Sequence, residues 1–165
     1  MLFRSIQSSG RIVIAHRESS VPFSYVLPDG KPVGYAVDLC LKVADAVRQK
    51  LKLKSLTPQF LLVTPANRIQ TVADGKADLE CGSTTNNAER REKVAFTVPH
   101  YITGARYLVR ADSGLVELSQ FEGKTLVSTK GTTPLKSITQ VNNERALHIN
   151  VIEAPDHAKA MEMLA

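Results

Sequence analysis

Three arginines, a run of hydroxyls and one histidine are the side chains in this sequence whose positions suggest chemistry. Arg17 follows the apolar run Arg11–His16 directly, and Ser83, Thr84 and Thr85 follow Ala77–Cys81. Arg90 comes five residues after Thr85, and Arg68 falls in the first turn of a short helical stretch. Thr132, Thr133 and His157 open two further helical stretches after strand-like runs. In open α/β sheets, ligands sit beyond the carboxyl ends of the strands. A guanidinium grips a carboxylate through two parallel N–H bonds, and helix N-termini favour anions. The chemistry on which these residues converge is recognition of a small dicarboxylate. Catalytic patterns are missing: there is no G-x-S-x-G, H-E-x-x-H, P-loop or G-x-G-x-x-G, and the four histidines lack metal-ligand spacing. Neither a metal nor another cofactor is implied.

Taken singly, each of these residues has an ordinary explanation. Arginine is mostly a surface residue. Ser83–Thr85 could simply cap the next helix, and Thr133 could cap the helix that Pro134 would begin at its first position. His157 could be a first-turn surface residue, although a cation there opposes the helix dipole. Only their joint placement at strand ends points to a site.

The elements that must position them alternate. Arg11–His16 is expected as a strand, and Val37, Cys40, Leu41, Ala44, Val47 and Leu51 form one apolar stripe of a helix led by Gly34-Tyr35. Pro58–Val63 is the next strand, Ala66–Ala73 a helix closed by Gly75, and Ala77–Cys81 a third strand. Gly82–Asn87 is a loop and Ala88–Lys93 a charged helical turn, with Val94–Phe96 and Tyr101–Arg110 strand-like beyond. The alternation resumes with strand Lys124–Ser128, a helix capped by Thr133, strand Leu147–Ile152 and a helix from Asp156. Such alternation predicts an α/β fold with largely parallel sheets.

The 165 residues carry a formal net charge of +5, unevenly spread. Residues 1–110 hold 16 basic against 9 acidic side chains, and residues 111–165 hold 5 against 7. With the strand pattern, this places a boundary near Ala111–Gly114, giving a first α/β lobe at 1–110 and a partial second lobe at 111–165. No zinc-finger or RNP-like pattern accompanies the basic half, so nucleic acid is not indicated as a partner. No run of about 18 apolar residues exists to cross a membrane. Cys40 and Cys81 suit either one bridge or two buried thiols. The second region offers only two βα units and stops within an amphipathic helix. Either further chain or a partner molecule is therefore expected to complete it, and its open strand edges would suit self-association.

At this point the sequence resembles a known family. His16–Tyr25 (HRESSVPFSY), Gly34-Tyr35 with Asp38-Leu39, Asn67-Arg68-Ile69, Glu80–Asn87 (ECGSTTNN) with Glu89-Arg90, Gly131-Thr132-Thr133 and Asp156-His157 carry the resemblance. It is to the bacterial extracellular solute-binding proteins of family 3, the periplasmic polar amino acid binders, and most of all to their glutamate/aspartate branch. The likeness runs from about Arg11 to Ala165. It implies a type II periplasmic binding protein-like fold in which two lobes close over an acidic amino acid, and a membrane permease of an ABC transporter as partner. Carried over residue by residue, Arg90 with Thr85 and Thr133 would hold the ligand α-carboxylate. Ser83 and Thr85 would receive the α-ammonium, and Arg17, Arg68 and His157 the side-chain carboxylate. Two departures stand out. Pro65 replaces a usual hydroxyl residue, removing one hydrogen bond. Family members also continue past this length by roughly a third, including an acidic partner for the ammonium, so weakened affinity is expected of a truncated chain. The competing readings are a sensor or assembly module completed by oligomerisation, and a dehydratase-type enzyme. The enzyme would need a positioned acid and base, with Glu18 as its carboxylate.

Overall fold

The computed structural model describes residues 2–165, with side chains from Ser5 onward. The chain forms two compact units, the first ending at Phe96 and the second running from Thr97 to Ala165.

The first unit is built on a parallel sheet of β1 (Arg11–His16), β5 (Thr57–Leu62) and β6 (Leu79–Cys81), in the order β5-β1-β6. The run RIVIAH is central because both of its faces are apolar. Ile12 packs with Ala44 on one face, while Ala15 packs with Val63 and Ala77 on the other. Helix α2 (Tyr35–Lys50) connects β1 to β5, and α3 (Arg68–Ala73) connects β5 to β6. Helix α1 (Leu2–Ser9), which composition alone did not suggest, adds buried Ile6 to the Ile12–Ala44 cluster. Asp78 fastens the start of β6, its Oδ2 accepting from the Val13 N–H at 2.7 Å while its own N–H donates to the Val13 carbonyl.

A small antiparallel sheet of β2 (Ser19–Ser20), β3 (Ser24–Val26) and β4 (Pro32–Val33) follows β1. Its loop docks on the start of α2, where the Pro22 and Phe23 carbonyls accept from the N–H groups of Tyr35 and Ala36. Gly34 makes this approach possible. Its φ is 125°, and a Cβ there would lie 2.6 Å from the Phe23 carbonyl oxygen. Cys40 on α2 and Cys81 at the end of β6 form a disulfide, closing the alternative that the sequence left open.

In the second unit, β7 (Thr125–Thr129) and β8 (Asn150–Ala154) pair in parallel, with α5 (Thr133–Glu144) between them and α6 (His157–Leu164) after. Phe121, Ile138 and Ile149 form its core. Asn142 ties α5 to the chain entering β8, its side-chain amide both donating to and accepting from the Ile149 backbone at 2.9 Å.

Several expectations need correcting. The N-cap of α5 is Thr132, whose Oγ1 accepts from the Leu135 N–H; Thr133 is its first residue and Pro134 follows. Strand β8 starts at Asn150 rather than Leu147, because Ala146 and His148 take positive φ angles of 49° and 52°, which no strand accommodates. Val94–Phe96 and Tyr101–Arg110 are not strands; they pair with no strand among the described residues. The units also divide before residue 110. Val109 packs against the Phe121–Ile138–Ile149 cluster, and the Tyr107 ring lies 5.5 Å from that of Phe121, so side-chain packing assigns this stretch to the second unit.

Candidate functional site

The order β5-β1-β6 creates a switch point between β1 and β6, because the chain passes from β1 to β5 on one side and then from β5 across to β6 on the other. Such a point leaves a crevice at the carboxyl ends of the two strands. Those ends are His16-Arg17 and Cys81-Gly82-Ser83, which contain two of the residues singled out from sequence. Strand parity then sorts the side chains. His16 is opposite Cys81 and Ala15 opposite Glu80, so Cys81 reaches α2 through the disulfide while Glu80 shares the face of Ala15 and α3.

Arg17 is buried, 1% exposed, and its N–H donates to Ser24 Oγ at 2.9 Å. Arg68, the first residue of α3, is 2% exposed. A reciprocal turn presents it: Asn67 Oδ1 accepts from the Thr64 N–H at 2.8 Å and Thr64 Oγ1 from the Asn67 N–H at 3.3 Å. Burial lowers the Arg68 pKa to about 10, opposed by the Glu80 carboxylate and reinforced by the charges of Arg90 and Arg17. Arg90 is half-buried on α4 (Ala88–Arg91), a single turn capped by Asn87 Oδ1 accepting from the Arg90 N–H. Its guanidinium donates to the Thr85 carbonyl at 2.9 Å. Its pKa is lowered as well, first by burial, with Glu80 and Glu89 acting in the other direction.

Ser83 Oγ lies 2.6 Å from Ser20 Oγ, joining the β6 loop to β2. Ser83 and Thr85 are exposed. Around this crevice Arg68 Nε, Glu80 Oε1 and Thr84 Oγ1 are buried without a hydrogen-bond partner. An unmet buried donor or acceptor costs about 1–3 kcal/mol, so the protein retains such groups where something else can meet them. The first unit thus gathers Arg17, Arg68, Ser83, Thr85 and Arg90 at one sheet edge. It offers guanidinium and hydroxyl donors with one carboxylate among them.

Thr133 and His157 belong to the second unit, each as the first residue of a helix following a parallel strand. His157 is oriented by Thr129 at the end of β7, with Nδ1 and Oγ1 2.8 Å apart. Thr132 Oγ1 in turn donates to the Thr129 carbonyl at 2.6 Å. Sequence reading passed over Glu80 and Thr129, and it noted Thr84 without giving it a role. Glu80 stands inside the ECGSTTNN block, and its strand parity with Arg17 was the signal that could have found it. Glu18, which the enzyme reading would have needed, is exposed. Among the described residues, no group of three His, Cys, Asp or Glu side chains could hold a metal ion.

Two α/β units with guanidinium, hydroxyl and imidazole groups beyond the carboxyl ends of their parallel strands define a protein of the type II periplasmic binding protein-like class. The chain belongs to the bacterial extracellular solute-binding proteins, family 3, whose family model matches residues 12–160. It is 40% identical over 162 residues to the L-glutamate/L-aspartate-binding protein of Pseudomonas aeruginosa, covering 98% of this chain and 54% of that protein. It is 36% identical over 159 residues to the glutamate/aspartate import solute-binding protein of Escherichia coli K12, covering 96% and 53%. The chain therefore spans about half the length of the curated relatives it matches. Among solved structures, the P235GK mutant of the ArgBP of T. maritima matches with a TM-score of 0.84 at 24% identity, covering 99% of this chain and 67% of that one. An ancestral amino acid-binding protein described as a precursor of cyclohexadienyl dehydratase also matches with a TM-score of 0.84, at 20% identity over 99% and 69%. At these identities the structural likeness establishes the fold.

Proposed function

We propose that this chain is the ligand-binding component of an ABC-type amino-acid importer and that it takes an acidic amino acid, glutamate or aspartate. The observation that carries this reading is Arg68, a guanidinium 2% exposed whose Nε has no hydrogen-bond partner. A buried guanidinium is costly unless an anion meets it. Two further guanidiniums, Arg17 and Arg90, act electrostatically with it or on the same carboxylate. That is more positive charge than one carboxylate ligand would need, and it suits two.

The residue roles follow the family resemblance. Arg90, Thr85 and Thr133 take the α-carboxylate, Ser83 and Thr85 the α-ammonium, and Arg17, Arg68 and His157 the side-chain carboxylate. The names of the two relatives above support the choice of ligand. The Cys40–Cys81 disulfide supports a periplasmic setting, since such bridges persist in oxidising compartments. The partner is the membrane permease that receives the ligand.

Titration calorimetry with L-glutamate, L-aspartate, L-glutamine and L-arginine tests the proposal. Heats are expected with the two acids, and glutamine should bind at least a hundredfold more weakly. Arg68→Ala should weaken glutamate binding about a hundredfold or more, as truncating one partner of a buried charge pair generally does. Silence toward both acids in a folded sample, or equal binding of glutamine, would sink the reading.

A further inference from the structure

The cluster that gathers three arginines also contains a carboxylate to which the family resemblance gives no role. Glu80 lies opposite Ala15 in the sheet register, on the face that strand alternation gives to Arg17, the residue directly after β1. A Cβ added at Gly82 would come 2.5 Å from Glu80 Oε1 and 3.0 Å from Arg17 Cγ, so the carboxylate and the Arg17 stem converge over Gly82. Glu80 Oε1 is buried without a hydrogen-bond partner. The Glu80 charge acts on both Arg68 and Arg90. The neighbouring acids are occupied or screened: Asp78 accepts from the Val13 N–H, and Glu18 and Glu89 are exposed to water.

Charge then discriminates between ligands. An amino dicarboxylate carries two carboxylates and an ammonium, for a net charge of −1, whereas the same dicarboxylate without its amino group carries −2. A carboxylate set inside a three-guanidinium cluster attracts the ammonium and repels both carboxylates. The repulsion is common to the two ligands, so the attraction alone separates them. We infer that Glu80 is a specificity-determining positioning residue, whose partly buried carboxylate among Arg17, Arg68 and Arg90 makes the site select amino dicarboxylates over plain dicarboxylates. This rests on the reading that the site takes an acidic amino acid.

The test is calorimetry of the whole chain with L-glutamate and with glutarate, which differs from it by the α-amino group. The wild type should prefer L-glutamate. Glu80→Gln should move the glutamate-to-glutarate affinity ratio toward glutarate by about tenfold or more, as loss of one partly buried charge interaction predicts. Glu80→Asp, which keeps the charge, should stay within threefold of the wild-type ratio. If thermal unfolding shows that Glu80→Gln does not fold, Glu80→Ala is read on the same ratio. An unshifted ratio, even with both affinities lowered together, would make Glu80 merely structural and overturn the inference, as would a wild type that prefers glutarate. A wild type that binds neither acid overturns this inference together with the proposed function. A wild type that binds glutamate while the neutral variants keep its ratio overturns the inference alone.

Discussion

Thr129 Oγ1 stands 2.8 Å from His157 Nδ1, joining the last residue of β7 to the first residue of α6. Thr129 is buried, and its carbonyl is engaged by Thr132, so the hydroxyl is held where the imidazole meets it. A histidine whose Nδ1 is fixed in this way presents Nε2 in a set direction. Thr129→Val removes the hydrogen bond with little change in volume. Glutamate affinity is expected to fall about tenfold while unfolding free energy changes by about 1 kcal/mol, the net worth of one such bond. Thr129→Ser should restore the affinity. Calorimetry and urea titration together check this, and an unchanged dissociation constant in Thr129→Val would refute it.

Arg68 should weaken the ligand-free protein while serving the bound one. Its guanidinium is desolvated and its Nε unmet. Arg68→Met is therefore expected to leave the ligand-free protein as stable as the wild type, or about 1–2 kcal/mol more stable, while glutamate binding is lost. The pH dependence has a definite sign. The folded-state pKa of about 10 lies below the ordinary guanidinium value, so the folded protein releases this proton first as pH rises. The penalty is therefore fully present below pH 10 and is relieved as pH rises above about 10 toward the ordinary guanidinium range. The stability difference between Arg68→Met and wild type should narrow over that window, as measured by urea unfolding at matched pH.

The Cys40–Cys81 bridge closes a loop with a sequence separation of 41 residues. On the chain-entropy account, removing such a cross-link costs about 4 kcal/mol of stability. Replacing both cysteines by alanine, or reducing the protein, should lower the urea midpoint accordingly. Cys81 directly precedes Gly82 and Ser83, so exchange protection of the backbone N–H groups of 82–85 should fall furthest. A midpoint unchanged by reductant would contradict this.

Gly34 and Gly30 make a controlled pair. Both have positive φ, 125° and 84°, but a Cβ at Gly34 would strike the Phe23 backbone while one at Gly30 meets nothing within 4 Å. Gly34→Ala should cost more than about 2 kcal/mol, combining strain with the undocking of the loop from α2. Gly30→Ala should cost about 1 kcal/mol, from φ alone. Thermal unfolding of the two variants distinguishes them, and equal losses would show that the close approach does not matter.

The elements that carry chemistry were legible because each rests on local signals. β1 spans Arg11–His16 as its β-branched run predicts, and Asp156 caps α6 by accepting from the Lys159 N–H. Arg17 and Ser83 were legible as strand-end residues for the same reason, because an apolar run that stops marks where the next side chain emerges. The stretch 101–110 was misread because strand propensity describes a residue that fits a half-buried pleat, and here no neighbouring strand supplies one. Its Ile102 is 90% exposed, while Val109 and Tyr107 turn instead to the Phe121 cluster.

Residue type and spacing were enough to determine which side chains emerge beyond strands and helix starts, since these depend on a few neighbouring residues and on the period of the backbone. They also determined the family, through whole blocks such as ECGSTTNN. Tertiary structure alone decided that Glu80 joins Arg17, Arg68 and Arg90, that Cys40 bonds Cys81, and that Thr129 orients His157. Each depends on strand order and register, which bring together residues far apart in the chain, and burial then turns that proximity into desolvated charges and unmet hydrogen bonds.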